Sequence, residues 1–322
     1  MSSENRVRVA VRVRPLLPTE ADHACGLVTA DASSGTVTTK ESSNATASTR
    51  CFKFDTVVDP EVRQEGFYDM CGLRDMVGAA LHGVNISVLA YGQTGSGKTY
   101  TMEGTEDEFG IVPRVIAEAF SELDMRQERG VVATYEGQVS FLQLYNERVL
   151  DLLSLSDGKI RGAGVQVGSM GSGLGYQTGL ALRYDGVKDT FYAEGLTAPP
   201  VRTALEAMHF FHQGIAKRVV ASHAMNAASS RSHCVFTLDL KIVLQGKHGL
   251  AGQVVTSRIA LVDLAGSERA SKTHAVGAVL EESISINKSL FVLRQVCLCH
   301  REHRISRIRS SYMLLCSVCL GH

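Results

Sequence analysis

Residues 92–99, GQTGSGKT, constrain this 322-residue chain more tightly than any other stretch. The pattern G-x-x-x-x-G-K-[ST] makes a phosphate-binding loop when a strand leads into it and a helix leaves it. Asn85 to Tyr91 (NISVLAY) supplies a short apolar strand running directly into the glycines. Glycines let backbone N–H groups converge on phosphate oxygens without side-chain obstruction. The nucleotide contacts then fall to Gly92, Gln93, Thr94, Gly95, Ser96, Gly97, Lys98 and Thr99. Lys98 can reach the β- and γ-phosphates, Thr99 can place its hydroxyl on Mg²⁺, and the helix start favours an anion. A chance glycine–serine turn would share the composition but not the preceding strand.

Composition narrows the partners. Lys plus Arg total 33 and Asp plus Glu total 33, so the formal net charge is zero. A globally basic nucleic-acid binder is excluded, whereas a local basic patch is not. The N-terminus has no apolar core of signal-peptide length. The late apolar run Tyr312 to Leu320 is about half a membrane span, so no membrane insertion is expected. Eight cysteines without a secretory signal read as reduced thiols, which points to the cytoplasm.

Strand and helix patterns interleave along the chain. Residues 6–13 alternate Arg with apolar residues, as a strand does, and Pro15 and Pro18 end the run. Residues 29–50, rich in Ser, Thr and Ala, read as loops or short edge hairpins. Pro113 suits a first helical turn, with Val115, Ile116, Ala119, Phe120 and Leu123 as the buried face. Val139 to Tyr145 reads as a strand, and the eight glycines of residues 158–179 as an inserted flexible loop. Leu205, Met208, His212, Ile215 and Val219 recur at helical spacing before Asn226. Long strands follow from Cys234 to Leu244 and up to Asp263. This order predicts an α/β layered domain.

Two further constellations suit nucleotide chemistry. Asp263 ends an apolar strand, where a carboxylate can hold Mg²⁺ through a water, and Gly266 follows in D-L-A-G, a form whose glycine N–H can sense a γ-phosphate. Asn226 to His233 (NAASSRSH) is a dense polar cluster, open to reading as Mg²⁺-ligating serines or as a solvated capping loop.

Taken together, the motifs resemble a kinesin motor domain. They are VRVRP (11–15), AYGQTGSGKTYTMEG (90–104), GIVPR (110–114), FLQLYNERVLDLL (141–153), NAASSRSH (226–233), LVDLAGSE (261–268) and INKSL (286–290). A guanine-specific N-K-x-D is lacking, because Asn287-Lys288-Ser289-Leu290 has no Asp. The resemblance implies an α/β P-loop NTPase core, with a central mixed, mostly parallel β-sheet flanked by helices on both faces. It implies a microtubule-stimulated ATPase using ATP and Mg²⁺, partnered by tubulin and working at the cytoskeleton. Carried over residue by residue, Arg12, Arg14, Pro15 and Tyr100 fall on the adenine side. Ser229 and Ser230 fall in switch I, with Ser230 in the Mg²⁺ shell beside Thr99 and Asp263. Arg231 and Glu268 match the inter-switch ion pair, and Gly266 the γ-phosphate sensor. Arg269 and Lys272 match basic positions facing the filament.

The match fades after Gln295. The expectation is a motor domain over residues 1–296 that lacks its last helix, strand and helix and the neck linker, followed by a divergent Cys/Arg-rich tail over 297–322. The omitted strand would open the central sheet. The tail carries five arginines from Arg294 to Arg309, and Cys and His residues with zinc-like chemistry but no supporting turn. Motility is thereby in question, and a non-motile nucleotide-dependent tubulin binder or an inactive fragment is the alternative. Ile284 and Ser285 stand where the family is often polar or basic, which would reshape the filament contact. No sustained heptad occurs, so dimerisation would depend on segments outside this chain.

Overall fold

The computed structural model describes residues 7–20, 27–40, 48–154, 179–187, 190–224, 231–246, 252–267 and 311–319. Its elements in chain order begin with β1 (Val7–Val13), β2 (Val28–Asp31), β3 (Thr36–Lys40), β4 (Thr49–Lys53) and β5 (Thr56–Val58). Helices α1 (Gln64–Met70) and α2 (Leu73–Ala80) lead to β6 (Asn85–Tyr91), α3 (Lys98–Met102) and α4 (Ile111–Glu128). Next come β7 (Val132–Tyr145), β8 (Arg148–Asp151), β9 (Leu182–Asp185), β10 (Thr190–Ala193) and β11 (Pro200–Val201). The chain continues through α5 (Ala204–Ala224), β12 (His233–Leu244), β13 (Val254–Asp263) and β14 (Ser311–Cys319).

Nine strands form one mixed sheet in the order β5-β1-β14-β6-β13-β12-β7-β11, with β8 paired to β7. Strands β5 to β13 in that order are mutually parallel, and β13, β12, β7 and β11 are antiparallel. Parallel strands are buried on both faces and need only apolar runs, which is why β6 reads NISVLAY without alternation. Strand β7 is twice as long as residues 139–145 predict, because Val132 and Tyr135 extend its pairing with β12. It turns into β8 through Asn146 (φ 47°) and Glu147 (φ 59°), two left-handed residues that suit a two-residue hairpin. Strands β2, β3 and β4 form a separate three-stranded antiparallel sheet, as short hairpins predict.

Among the described residues, helices and sheet share one core. Phe67, Leu73, Met102, Ile116, Phe120 and Phe211 meet Val88, Leu261, Phe236 and Leu314 in one continuous core. The face predicted for α4 is the one buried. In α5 the helix is present but its buried stripe is Ala207, Phe211, Gly214 and Arg218, while Leu205 is 80 % and Val219 51 % exposed. The spacing marked the helix but not its phase, since apolar residues lie on both sides of it. Residues 269–295 and the glycine-rich stretch up to residue 178 lie outside the described residues.

Strand β14 corrects the expected loss of the last core strand. Residues 311–319 run between β1 and β6, pairing Val7 to Val13 with Met313 to Cys319 and Asn85 to Tyr91 with Ser311 to Ser317. Residues 311–319, expected in a divergent tail, are therefore part of the central sheet. The physical reason lies in the apolar run YMLLCSVC, which is too short for a membrane but long enough for a buried parallel strand. Leu314 is 1 % exposed within the main core.

Candidate nucleotide site

Strands β6 and β13 are parallel neighbours, and their register sets Ala90 beside Asp263. Both chains thus leave the sheet at one edge, the carboxyl end at which open α/β sheets bind ligands. Loop 92–97 follows β6 and hands over to α3 at Lys98. Gly95 (φ +79°) and Gly97 (φ +99°) hold left-handed conformations that strain any residue with a Cβ. Lys98 is buried, and its Nζ donates to the Gly92 and Gln93 carbonyls at 2.9 Å each. The ammonium is therefore held inside the curl of its own loop.

Thr99 and Asp263 meet across the two strands: Thr99 Oγ1 donates to Asp263 Oδ2 at 2.8 Å. Arg218 of α5 donates to the same oxygen at 2.9 Å, and its other nitrogen donates to Glu103 at 2.6 Å. Burial raises the Glu103 pKa, an effect the Arg218 charge opposes. Burial likewise pushes the neighbouring Cys234 thiol up to about 12. Two buried polar atoms here, Ser96 Oγ and Asp263 Oδ1, have no hydrogen-bond partner among the described residues. An unsatisfied buried carboxylate oxygen beside a threonine hydroxyl is the oxygen donor set that Mg²⁺ takes, so these residues fit that cation.

The segment after β13 is strapped to the loop. Leu264 N–H donates to Ala90 O at 3.2 Å, Ala265 N–H to His233 Nδ1 at 3.0 Å and Ser267 N–H to Gly92 O at 3.1 Å. None of the hydrogen bonds among the described residues uses the Gly266 N–H between them. Burial lowers the His233 pKa, with the Lys98 charge acting the same way and Asp263 against it. The ring is thereby kept neutral, as an acceptor Nδ1 requires.

Family comparison agrees with this geometry. The kinesin motor domain family matches residues 12–310. This chain belongs to the kinesin motor domain family. It is 37 % identical over 297 residues to the chromosome-associated kinesin KIF4 of Xenopus laevis, covering 90 % of this chain and 22 % of that protein. The chain thus spans about a fifth of that curated relative. A solved structure titled as a fast kinesin superposes with a TM-score of 0.79 at 28 % identity, covering 100 % of this chain and 87 % of that one. KIF14 with ADP, in complex with a microtubule, superposes at 0.77 and 28 % identity, covering 99 % and 90 %.

In this kinesin domain the structure brings together Lys98, Thr99, Asp263 and Gly266 of the sequence-derived site. The adenine-side residues separate into two kinds. Arg12 is 7 % exposed and donates to Gln64 Oε1 at 2.8 Å and Thr101 Oγ1 at 3.2 Å, with its guanidinium over the Phe67 and Tyr100 rings. It thereby ties β1 to α1 and α3. Arg14 is half-buried and pairs with Glu20 at 2.6 Å, Pro15 is exposed, and the Tyr100 ring is 41 % exposed. Ser229, Ser230, Glu268, Arg269 and Lys272 lie outside the described residues, and with Glu268 the ion pair expected of Arg231. Sequence reasoning missed Arg218, Glu103 and His233. The signal for Arg218 was its place seven residues after Phe211 on a buried stripe, where a cation needs a carboxylate.

Proposed function

We propose that this kinesin motor domain binds ATP with Mg²⁺ at loop 92–99 and cleaves it to ADP and phosphate. The observation that carries this reading is the Thr99–Asp263 contact with its unsatisfied buried oxygen, beside a lysine held inside a glycine loop. Lys98 and the loop amides take up charge on the β- and γ-oxygens, and Gly92 to Gly97 wrap the phosphates. Thr99, Asp263 and Ser230 would hold Mg²⁺, which neutralises phosphate charge when bound. Gly266 offers its N–H to the γ-phosphate, and Ser229 orients the attacking water. Arg231 and Glu268 latch the two switch segments over it. Arg14, Pro15 and Tyr100 border the base, and Arg12 stiffens that wall.

The reading extends to the filament. Arg269 and Lys272 meet the acidic tubulin surface, and switch closure alters that affinity, placing the protein on the cytoskeleton. Local cations steer association without any net charge. ATP turnover measured with and without microtubules tests both parts. Stimulation by microtubules is expected in the unaltered chain, with loss of more than about 100-fold in Lys98→Ala and Thr99→Asn. Normal turnover in both variants would overturn the site, and unstimulated turnover would overturn the filament coupling.

A further inference from the structure

His233 is the first residue of β12 and is 7 % exposed. The β12–β13 register pairs Cys234 with Asp263, so one further step of the ladder would set His233 opposite Leu264. The paired register ends at Cys234 and Asp263, and the Leu264 N–H points the other way, to Ala90 O of β6. The next amide, Ala265 N–H, is taken by the imidazole, Nδ1 accepting at 3.0 Å. An amide N–H can only donate, so Nδ1 carries the lone pair and the ring proton sits on Nε2.

The consequence is asymmetric anchoring of residues 264–267. Leu264 and Ser267 are tied to β6 and to the phosphate loop through backbone carbonyls. Among the described residues Ala265 alone is tied to a side chain, and that side chain ends the 226–233 cluster. Gly266 follows directly, its N–H unused among the described residues. We propose that His233 is a positioning residue for ATP cleavage: its Nδ1 sets the Ala265 amide, and so presents the Gly266 N–H to the γ-phosphate. The bond also makes the placement of Gly266 depend on where segment 226–233 ends. This inference rests on the nucleotide reading above.

Three substitutions separate acceptor position from bulk. His233→Asn keeps an oxygen where Nδ1 stands, His233→Gln moves it out to the Nε2 position, and His233→Leu removes it. The readouts are single-turnover ATP cleavage, affinity for a fluorescent ADP and thermal midpoint. ADP has no γ-phosphate, so its affinity should stay within about twofold in all three, while cleavage falls about 10- to 100-fold in Leu and Gln and stays within about threefold in Asn. Wild-type cleavage in Leu or Gln would overturn the proposal, as would an Asn variant that is folded, binds ADP and cleaves no better than Leu. Should Leu fail to fold, the Asn–Gln contrast carries the same test. If the unaltered chain does not bind ADP, the site reading fails, and that result is distinct from either.

Discussion

Arg218 is the residue on which the two halves of the site converge. One guanidinium nitrogen meets Asp263 at the end of β13 and the other meets Glu103 just past α3, all at low exposure. Such a pair contributes modestly as a whole, yet removing one member strands the others in a poor solvent. Arg218→Leu should therefore lower unfolding free energy by about 3–5 kcal/mol, read from urea denaturation. Charge rather than packing is the cause, so the double variant Arg218→Leu, Glu103→Leu should recover part of that loss, whereas additive losses would contradict it. The loop 92–99 was legible because its chemistry is local to eight consecutive residues. The Arg218–Asp263 contact spans 45 positions and follows from tertiary packing alone. Asp263 was legible as a strand end, but its partner was not.

At the scale of elements, α5 is held to the sheet by three rings. Phe141 stacks on Phe211 at 5.8 Å, and Phe236 meets both edge-on at 5.6 and 5.3 Å. Gly214 lies directly over this cluster, and a Cβ there would stand 2.2 Å from Phe141. Alanine ordinarily favours a helix over glycine by about 1 kcal/mol. Here Phe141 is clamped by two neighbours and cannot yield, so overpacking by about 1–3 kcal/mol dominates. Gly214→Ala is expected to lower the thermal midpoint, and a rise would show that the rings repack. The element was visible in the sequence and its phase was not. Hydrophobic spacing counts apolar residues, whereas the buried stripe of α5 includes a glycine chosen for close approach and an arginine chosen for charge.

For the whole molecule the decisive element is β14. It bonds to β1 on one side and β6 on the other, so those two strands stand about two strand spacings, ~9.6 Å, apart. No hydrogen bond reaches across that gap, and β6 is the strand that presents the phosphate loop. The strand was illegible because no motif marks it: a buried parallel strand asks only for apolar residues, which residues 312–320 supply without a fingerprint. Leu314 sits within the core at 1 % exposure, and Leu314→Ala should cost about 2–5 kcal/mol. Leu314→Asp buries an unpaired carboxylate in the same place and should abolish cooperative unfolding, since total stability is about 5–15 kcal/mol. A chain ending at residue 310 should behave like Leu314→Asp, losing both its urea transition and ADP binding. Its loss of binding would come from the sheet, because every residue of loop 92–99 is still present. If that shortened chain unfolds at the same urea concentration as the full one, the sheet closes without β14 and the strand's central place is refuted.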